Sequence, residues 1–140
     1  MDKALIVSLI SLAISFLALS VNISKFFIEL NDRRKKRLID EEASMKADIR
    51  IYANGNFLHI ENTGRSDAEI KTFHFNDIPW EEYDGILEDQ PRDLKAGHPS
   101  RSFKIHSTWS TPFPSSAEIT YEDEYSRKKM TTAHKDTFEL

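Results

Sequence analysis

Two hydrophobic patterns divide the chain. Over residues 4–23, ALIVSLISLAISFLALSVNI, twenty residues pass without a charged side chain. A helix of that length rises about 30 Å, the thickness of a bilayer's hydrocarbon core. Asn22 lies near the end of the run, and Lys25 is close enough to carry its ammonium to the interface. The pattern predicts a transmembrane helix within residues 1–30. Residues 31–46, like 25–30 before them, contain neither Gly nor Pro, and acid–base pairs recur four residues apart along 25–46: Glu29 with Arg33, Lys36 with Asp40, Arg37 with Glu41. They predict a basic helical neck that prolongs the span.

From residue 47 the hydrophobic period changes to two. Ile49, Ile51 and Ala53 alternate with polar or amphipathic residues, and after Asn54-Gly55 the alternation resumes with Leu58 and Ile60 inward. Asn-Gly between two alternating runs predicts a hairpin with a type I′ turn, which needs positive φ at both central positions. Asn62-Thr63-Gly64 marks the next turn. A third strand is expected over residues 68–75, AEIKTFHF. Its apolar phase slips between Ile70 and Phe73, the sign of a bulge or of a strand touching apolar surface on both faces. Residues 76–93 are the least regular, with Pro79, Gly85 and Pro91, and allow a short strand near 85–87. Further strands are expected over 102–106, with Phe103 and Ile105 inward, and over 117–121. The chain then turns at 122–126 and ends in one or two strands holding Met130, Phe138 and Leu140. About seven short strands with turn signals every 8–12 residues predict a small antiparallel β-sandwich over residues 47–140.

Charge adds an orientation. Before the apolar run the one basic side chain is Lys3, beside Asp2; after it come Lys25, Arg33, Arg34, Lys35, Lys36 and Arg37. The positive-inside bias places the N-terminus outside and the β-domain in the cytoplasm, on a single-pass inner (plasma) membrane anchor. A cleaved signal peptide is the competing reading, because Ala18-Leu19-Ser20 resembles a small-residue cleavage site. Against it stand the weak positive excess before the run and the basic block after it. The bland role of residues 33–37 is a topology signal; the sharper one is binding of anionic membrane lipid. Residues 47–140 carry eleven Lys and Arg against seventeen Asp and Glu, a net of −6. An acidic domain is a poor partner for nucleic acid.

Small and polar residues form a stripe within the membrane run. Ala4, Ser8, Ser11, Ser15, Ala18 and Asn22 are spaced 4, 3, 4, 3 and 4 apart, along one helix face. Small residues let helix backbones approach closely, so the stripe offers a surface for self-association or for a partner helix. The alternative is that each hydroxyl bonds back to its own helix.

Candidate chemistry is sparse. The chain has no cysteine, hence no disulfide, thiol nucleophile or thiolate metal site. His59, His74, His98, His106 and His134 stand in no metal-ligand spacing, and neither a nucleophile elbow nor a phosphate-cradling loop is present. No enzyme activity, cofactor or metal is expected. Residues 76–93 interleave Trp80, Tyr83, Ile86 and Leu87 with acids. Two roles are open here: contacts to a partner from a long loop, or, for Trp80 and Leu87, a plug for one end of the sandwich.

Phe57 to Asn62, then Thr63-Gly64 and Ala68, resembles the "strand, Asn-Thr-Gly, small residue" signature of immunoglobulin-like, adhesion-type bacterial sandwiches. Leu94-Lys95-Ala96-Gly97 stands where such domains carry Leu-x-Pro-Gly, with Ala96 in place of Pro. Ile119-Thr120-Tyr121-Glu122-Asp123 resembles their penultimate strand, although residues 124–126 lack the usual Gly. The resemblance extends to bacterial and phage single-pass membrane proteins with one such domain, and it implies a fold but no catalytic residue. The expected function is a membrane-anchored interaction module that binds a protein partner at the cytoplasmic face, through Trp80, Tyr83, Ile86 and Trp109. The alternative is a self-oligomerising, membrane-perturbing effector of the anti-phage defence type, with the β-domain as sensor.

Overall fold

A single helix, α1 (Lys3–Ser44), opens the computed structural model, which describes residues 2–140. Its 42 residues form one unbroken element in which no side chain is buried, and it is long and apolar enough to cross a membrane. The helix runs without a break from the apolar run through the basic residues to Ser44. The chain divides into two compact units at Glu41/Glu42.

The second unit is all-β apart from one short helix and one 3₁₀ turn. Strands β1 (Ile49–Asn54), β2 (Phe57–Asn62), β3 (Ala68–Phe75) and β4 (Ile78–Pro79) precede a 3₁₀ turn, Trp80–Glu82. Then follow β5 (Asp93–Leu94), β6 (Arg101–Lys104), β7 (Ser116–Glu122), helix α2 (Glu124–Lys129) and β8 (His134–Glu139). Two antiparallel sheets result: three strands in the order β1-β2-β6, and five strands in the order β4-β3-β7-β8 with β5 also on β3.

The alternation read from the sequence decides the core. Ile49, Ile51, Leu58, Ile60 and Phe103 point inward from the smaller sheet; Ala68, Ile70, Phe73, Phe75, Ala117, Ile119 and Tyr121 meet them from the larger. Full burial of a Leu, Ile or Phe side chain is worth about 1.5–3 kcal/mol, so this layer is the main source of stability. The phase slip in β3 is a real irregularity: its register against β7 shifts between Ile70 and Thr72, which lets Ile70 and Phe73 both face inward.

Several local expectations are corrected. The β1–β2 loop is Gly55-Asn56, since Asn54 pairs with Phe57. Only Gly55 has positive φ there, the type II′ pattern, and the two-residue positive-φ turn lies instead at Asn76-Asp77 between β3 and β4. The Asn76 carboxamide oxygen accepts from the backbone N–H groups of Ser115 and Ser116, at 3.1 and 3.0 Å, which fixes that turn. Residues 85–87 form no strand, and Met130 is the exposed left-handed C-cap of α2 rather than a strand residue.

Helix α2 was not expected. Asp123 is its N-cap: the side chain accepts from Ser126 N at 2.9 Å, and Ser126 Oγ accepts from Asp123 N at 2.9 Å. This reciprocal capping box satisfies two orphan donors of a six-residue helix. The other carboxylate oxygen of Asp123 accepts from Ala47 N at 2.9 Å, and His134 Nε2 lies 3.3 Å from the first. One fully buried carboxylate thus joins the start of the β-unit, α2 and β8. Nearby, buried Asn62 accepts from Asp48 N and Gly64 N and donates to the carbonyls of Ser66 and Leu94. Gly64 is required by this crossing, because a Cβ there would overlap the backbone of Ala47 and Asp48.

Burial alone would raise the Asp123 pKa, but the hydrogen bonds from Ser126 and Ala47 and the charge of His134 outweigh it and hold the group below the usual carboxylate value. A carboxylate with a lower pKa folded than unfolded contributes stability above its unfolded pKa, about 4, and loses it as pH falls through the folded value. Asp123→Asn should therefore cost about 1–3 kcal/mol at pH 7 and flatten the acid limb of the stability profile. Thermal unfolding of the full chain in detergent, followed from pH 7 down to pH 3, measures both. Parallel profiles for the two proteins would show that Asp123 is not the tie.

Candidate functional site

The 3₁₀ turn and the loop after it carry three of the four expected contact residues, and they turn inward. Trp80, Tyr83 and Ile86 are 2%, 5% and 9% exposed. The Trp80 ring stands edge-on to Phe73 and Phe103, with centroids 4.9 and 5.0 Å away, and its Nε1–H donates to Glu88 O at 2.8 Å. Phe73 belongs to one sheet and Phe103 to the other, so Trp80 bridges the two layers. Tyr83 packs on Phe75 at 5.0 Å. Trp80, Tyr83 and Ile86 are thus part of the core and present no docking surface. The signal for this was a recurrence every third residue with acids between, which sends the apolar side chains to one side and Glu81, Glu82 and Asp84 to the other. Leu87, weighed with Trp80 as a plug, is exposed instead.

Trp109 behaves differently: its side chain is fully exposed. It stands on the loop between β6 and β7, whose two ends are fixed. At one end His106 N donates to Gly85 O at 2.7 Å. At the other the Tyr83 hydroxyl donates to Pro112 O at 2.9 Å, and Pro114 is fully buried. Burial raises the Tyr83 pKa, which keeps the hydroxyl protonated as a donor. Across the tip Thr108 N donates to Thr111 O at 2.8 Å, and Thr111 N donates to Thr108 Oγ1 at 3.1 Å. The buried Tyr83 therefore supports the loop that presents Trp109, a link between the two that the sequence did not disclose.

In the membrane-length helix Ser8 Oγ donates to Ala4 O and Ser15 Oγ to Ser11 O, both at 2.9 Å. Ser20 and Ser24, which lie off the stripe, make the same bond to the carbonyl four residues back. Ser8 and Ser15 on the stripe and Ser20 and Ser24 off it are thus satisfied alike within one helix, and Ala4, Ser11, Ala18 and Asn22 are exposed along the same face. Arg33, Arg34, Lys35, Lys36 and Arg37 are exposed and consecutive. At about 100° per residue they encircle the helix as a collar, and Arg33 sits about 15 Å beyond Ile23.

Most other polar groups on the sheets have a structural partner, although the buried Nδ1 of His74 on β3 has none. His59 stacks on Tyr52 at 5.0 Å and shares a 2.9 Å hydrogen bond with Ser102 on the outer face of the smaller sheet. On the outer face of the larger sheet Lys71 bridges Glu69 and Glu122 at 2.8 and 3.3 Å. Among the described residues, no group of three or more His, Asp or Glu side chains could hold a metal ion. A polar cleft of about 690 Å³ beside Trp80 is lined by Glu81, Glu88 and Asp89 together with Arg92 and Arg101, a mixture that selects neither charge. No family model, curated protein or solved structure matches the chain.

The two tryptophans should respond oppositely to truncation. Trp80→Ala should cost about 3–5 kcal/mol by opening a cavity between the sheets, whereas Trp109→Ala should change stability by less than about 0.5 kcal/mol. Urea unfolding of the two variants, monitored by circular dichroism, makes the comparison. Equal losses would contradict the separation of core from surface.

Proposed function

We propose that this chain is a single-pass membrane anchor carrying an immunoglobulin-like interaction domain, which holds a protein partner at the cytoplasmic face of the inner membrane. The strand order supports the immunoglobulin-like reading. Setting aside the two-residue strands, six remain, and β1-β2-β6 faces β3-β7-β8, as strands A, B and E face C, F and G of an immunoglobulin sandwich without its strand D. The Lys and Arg excess after the apolar run supports the cytoplasmic placement. The basic collar then lies near anionic lipid, while the acidic domain is repelled by it.

The observation that carries the partner-binding role is Trp109, a fully exposed indole on a loop pinned at both ends. An exposed Trp on a braced loop offers large contact area at little cost in conformational entropy, the property of an interface anchor. The rest of the domain surface, with its net negative charge, favours a partner that brings basic residues around an apolar pocket.

The test is the mass and composition of the complex extracted in mild detergent from its own host. Wild-type protein should carry a stoichiometric partner, and Trp109→Ala should lose most of it while still inserting and folding. A partner retained in full by Trp109→Ala, or wild-type protein without any other chain, would contradict the proposal.

A further inference from the structure

The last strand leaves an open edge. Leu140 N donates to Ser115 O at 3.0 Å, and β8 pairs with β7 so that Phe138 faces Ala117, Asp136 faces Ile119 and His134 faces Tyr121. Ladder bonds alternate along an antiparallel pair. The even-numbered residues of β8 therefore bond to β7, and the N–H and C=O groups of Lys135, Thr137 and Glu139 point off the end of the five-stranded sheet. Every residue of β8 is at least partly exposed, and the strand holds neither Pro nor Gly to interrupt a new ladder. The two inward-facing polar side chains are occupied within their own chain: Asp136 accepts from the Tyr121 hydroxyl at 3.1 Å, and His134 lies against Asp123. They do not blunt the edge in the way that an unpaired inward charge would.

We propose that this edge pairs, antiparallel, with the same edge of a second copy, with Thr137 opposite Thr137 about a twofold axis. The side chains single out that register. Lys135 of each copy then faces Glu139 of the other, and the two threonines face each other; opposite-charge and Thr–Thr pairs are favourable cross-strand neighbours. Sliding by two residues in one direction sets Asp136 against Asp136. Sliding in the other pairs Thr137 with Glu139 and gives up both Lys135–Glu139 pairs. The matched register uses all three outward N–H and all three outward C=O groups of each copy, about six backbone hydrogen bonds in total. It joins the two larger sheets into one, through an isologous contact that closes at two chains. The association needs neither the small-residue stripe nor Trp109.

The chain has no cysteine, so single cysteines report the register cleanly. Thr137→Cys should form a covalent dimer of the full chain in mild detergent under gentle oxidation, since directly paired Cα atoms lie about 5.5 Å apart. Lys135→Cys should not. Sedimentation should give two chains for the wild type. Thr137→Pro removes an outward N–H without touching a bond to β7, and should weaken self-association by about tenfold or more. Glu139→Lys should weaken it as well, and the exchange Lys135→Glu with Glu139→Lys should restore it, a recovery that loss of folding would not give. A wild-type mass of one chain overturns the proposal. So does a dimer that persists in Thr137→Pro, which would move the contact to another part of the molecule.

Discussion

The β-unit depends on a carboxylate that has no contact with water. Asp123 accepts hydrogen bonds from Ala47, 76 residues earlier, and from Ser126, and lies against His134, so that one side chain meets three separate elements. Burying an ionised carboxylate is costly, and the cost is recovered only where its lone pairs are fully used. Here they also decide the geometry. The first bond fixes where the chain enters the sandwich after α1, the second starts α2, and the third holds the beginning of β8. Asn62 does similar work a few residues away, spending both donors and its acceptor on backbone that crosses between the sheets.

This polar frame explains the division between core and surface. With the chain's entry and last strand fixed, the two sheets bring Phe73, Phe75 and Phe103 around Trp80, and the 3₁₀ turn closes that end of the sandwich. Tyr83 belongs to the same cluster, yet its hydroxyl reaches outward to Pro112 and braces the loop that carries Trp109. Packing inside and presentation outside are therefore coupled through one side chain. Such an arrangement suits a domain that offers a preformed surface, because little ordering remains to be done at the moment of contact.

Much of the architecture was legible in the sequence. A twenty-residue apolar run reads as a continuous helix and strict alternation between turn residues as half-buried strands, so α1, β1, β2, β3, β6 and β7 follow from pattern. The β3 bulge was visible in the phase slip itself. Less legible were features that depend on a few polar atoms. The Asp123–Ser126 capping box lies in an acidic stretch that reads equally well as a turn, and its decisive partners, Ala47 and His134, are distant in sequence. Composition misled at Tyr83 and Ile86, where the surrounding acids suggested an exposed loop; the spacing of three instead sets acids and apolar residues on opposite sides, and Trp80 fills the plug role weighed for it. Trp109 alone of the four expected contacts is exposed, at the tip of a loop closed on itself by the Thr108–Thr111 hydrogen bonds.

The central claim is that the helix holds the β-domain on the cytoplasmic side of the membrane, and the side of the membrane on which Leu140 lies tests it most directly. Alkaline phosphatase and a fluorescent protein, each fused after Leu140 and expressed in a bacterial host, read out the two compartments. The expected result is a fluorescent, membrane-bound fusion and a phosphatase fusion without activity. Active phosphatase in the periplasm would contradict the cytoplasmic placement, and with it the proposed partner-holding role at the inner face.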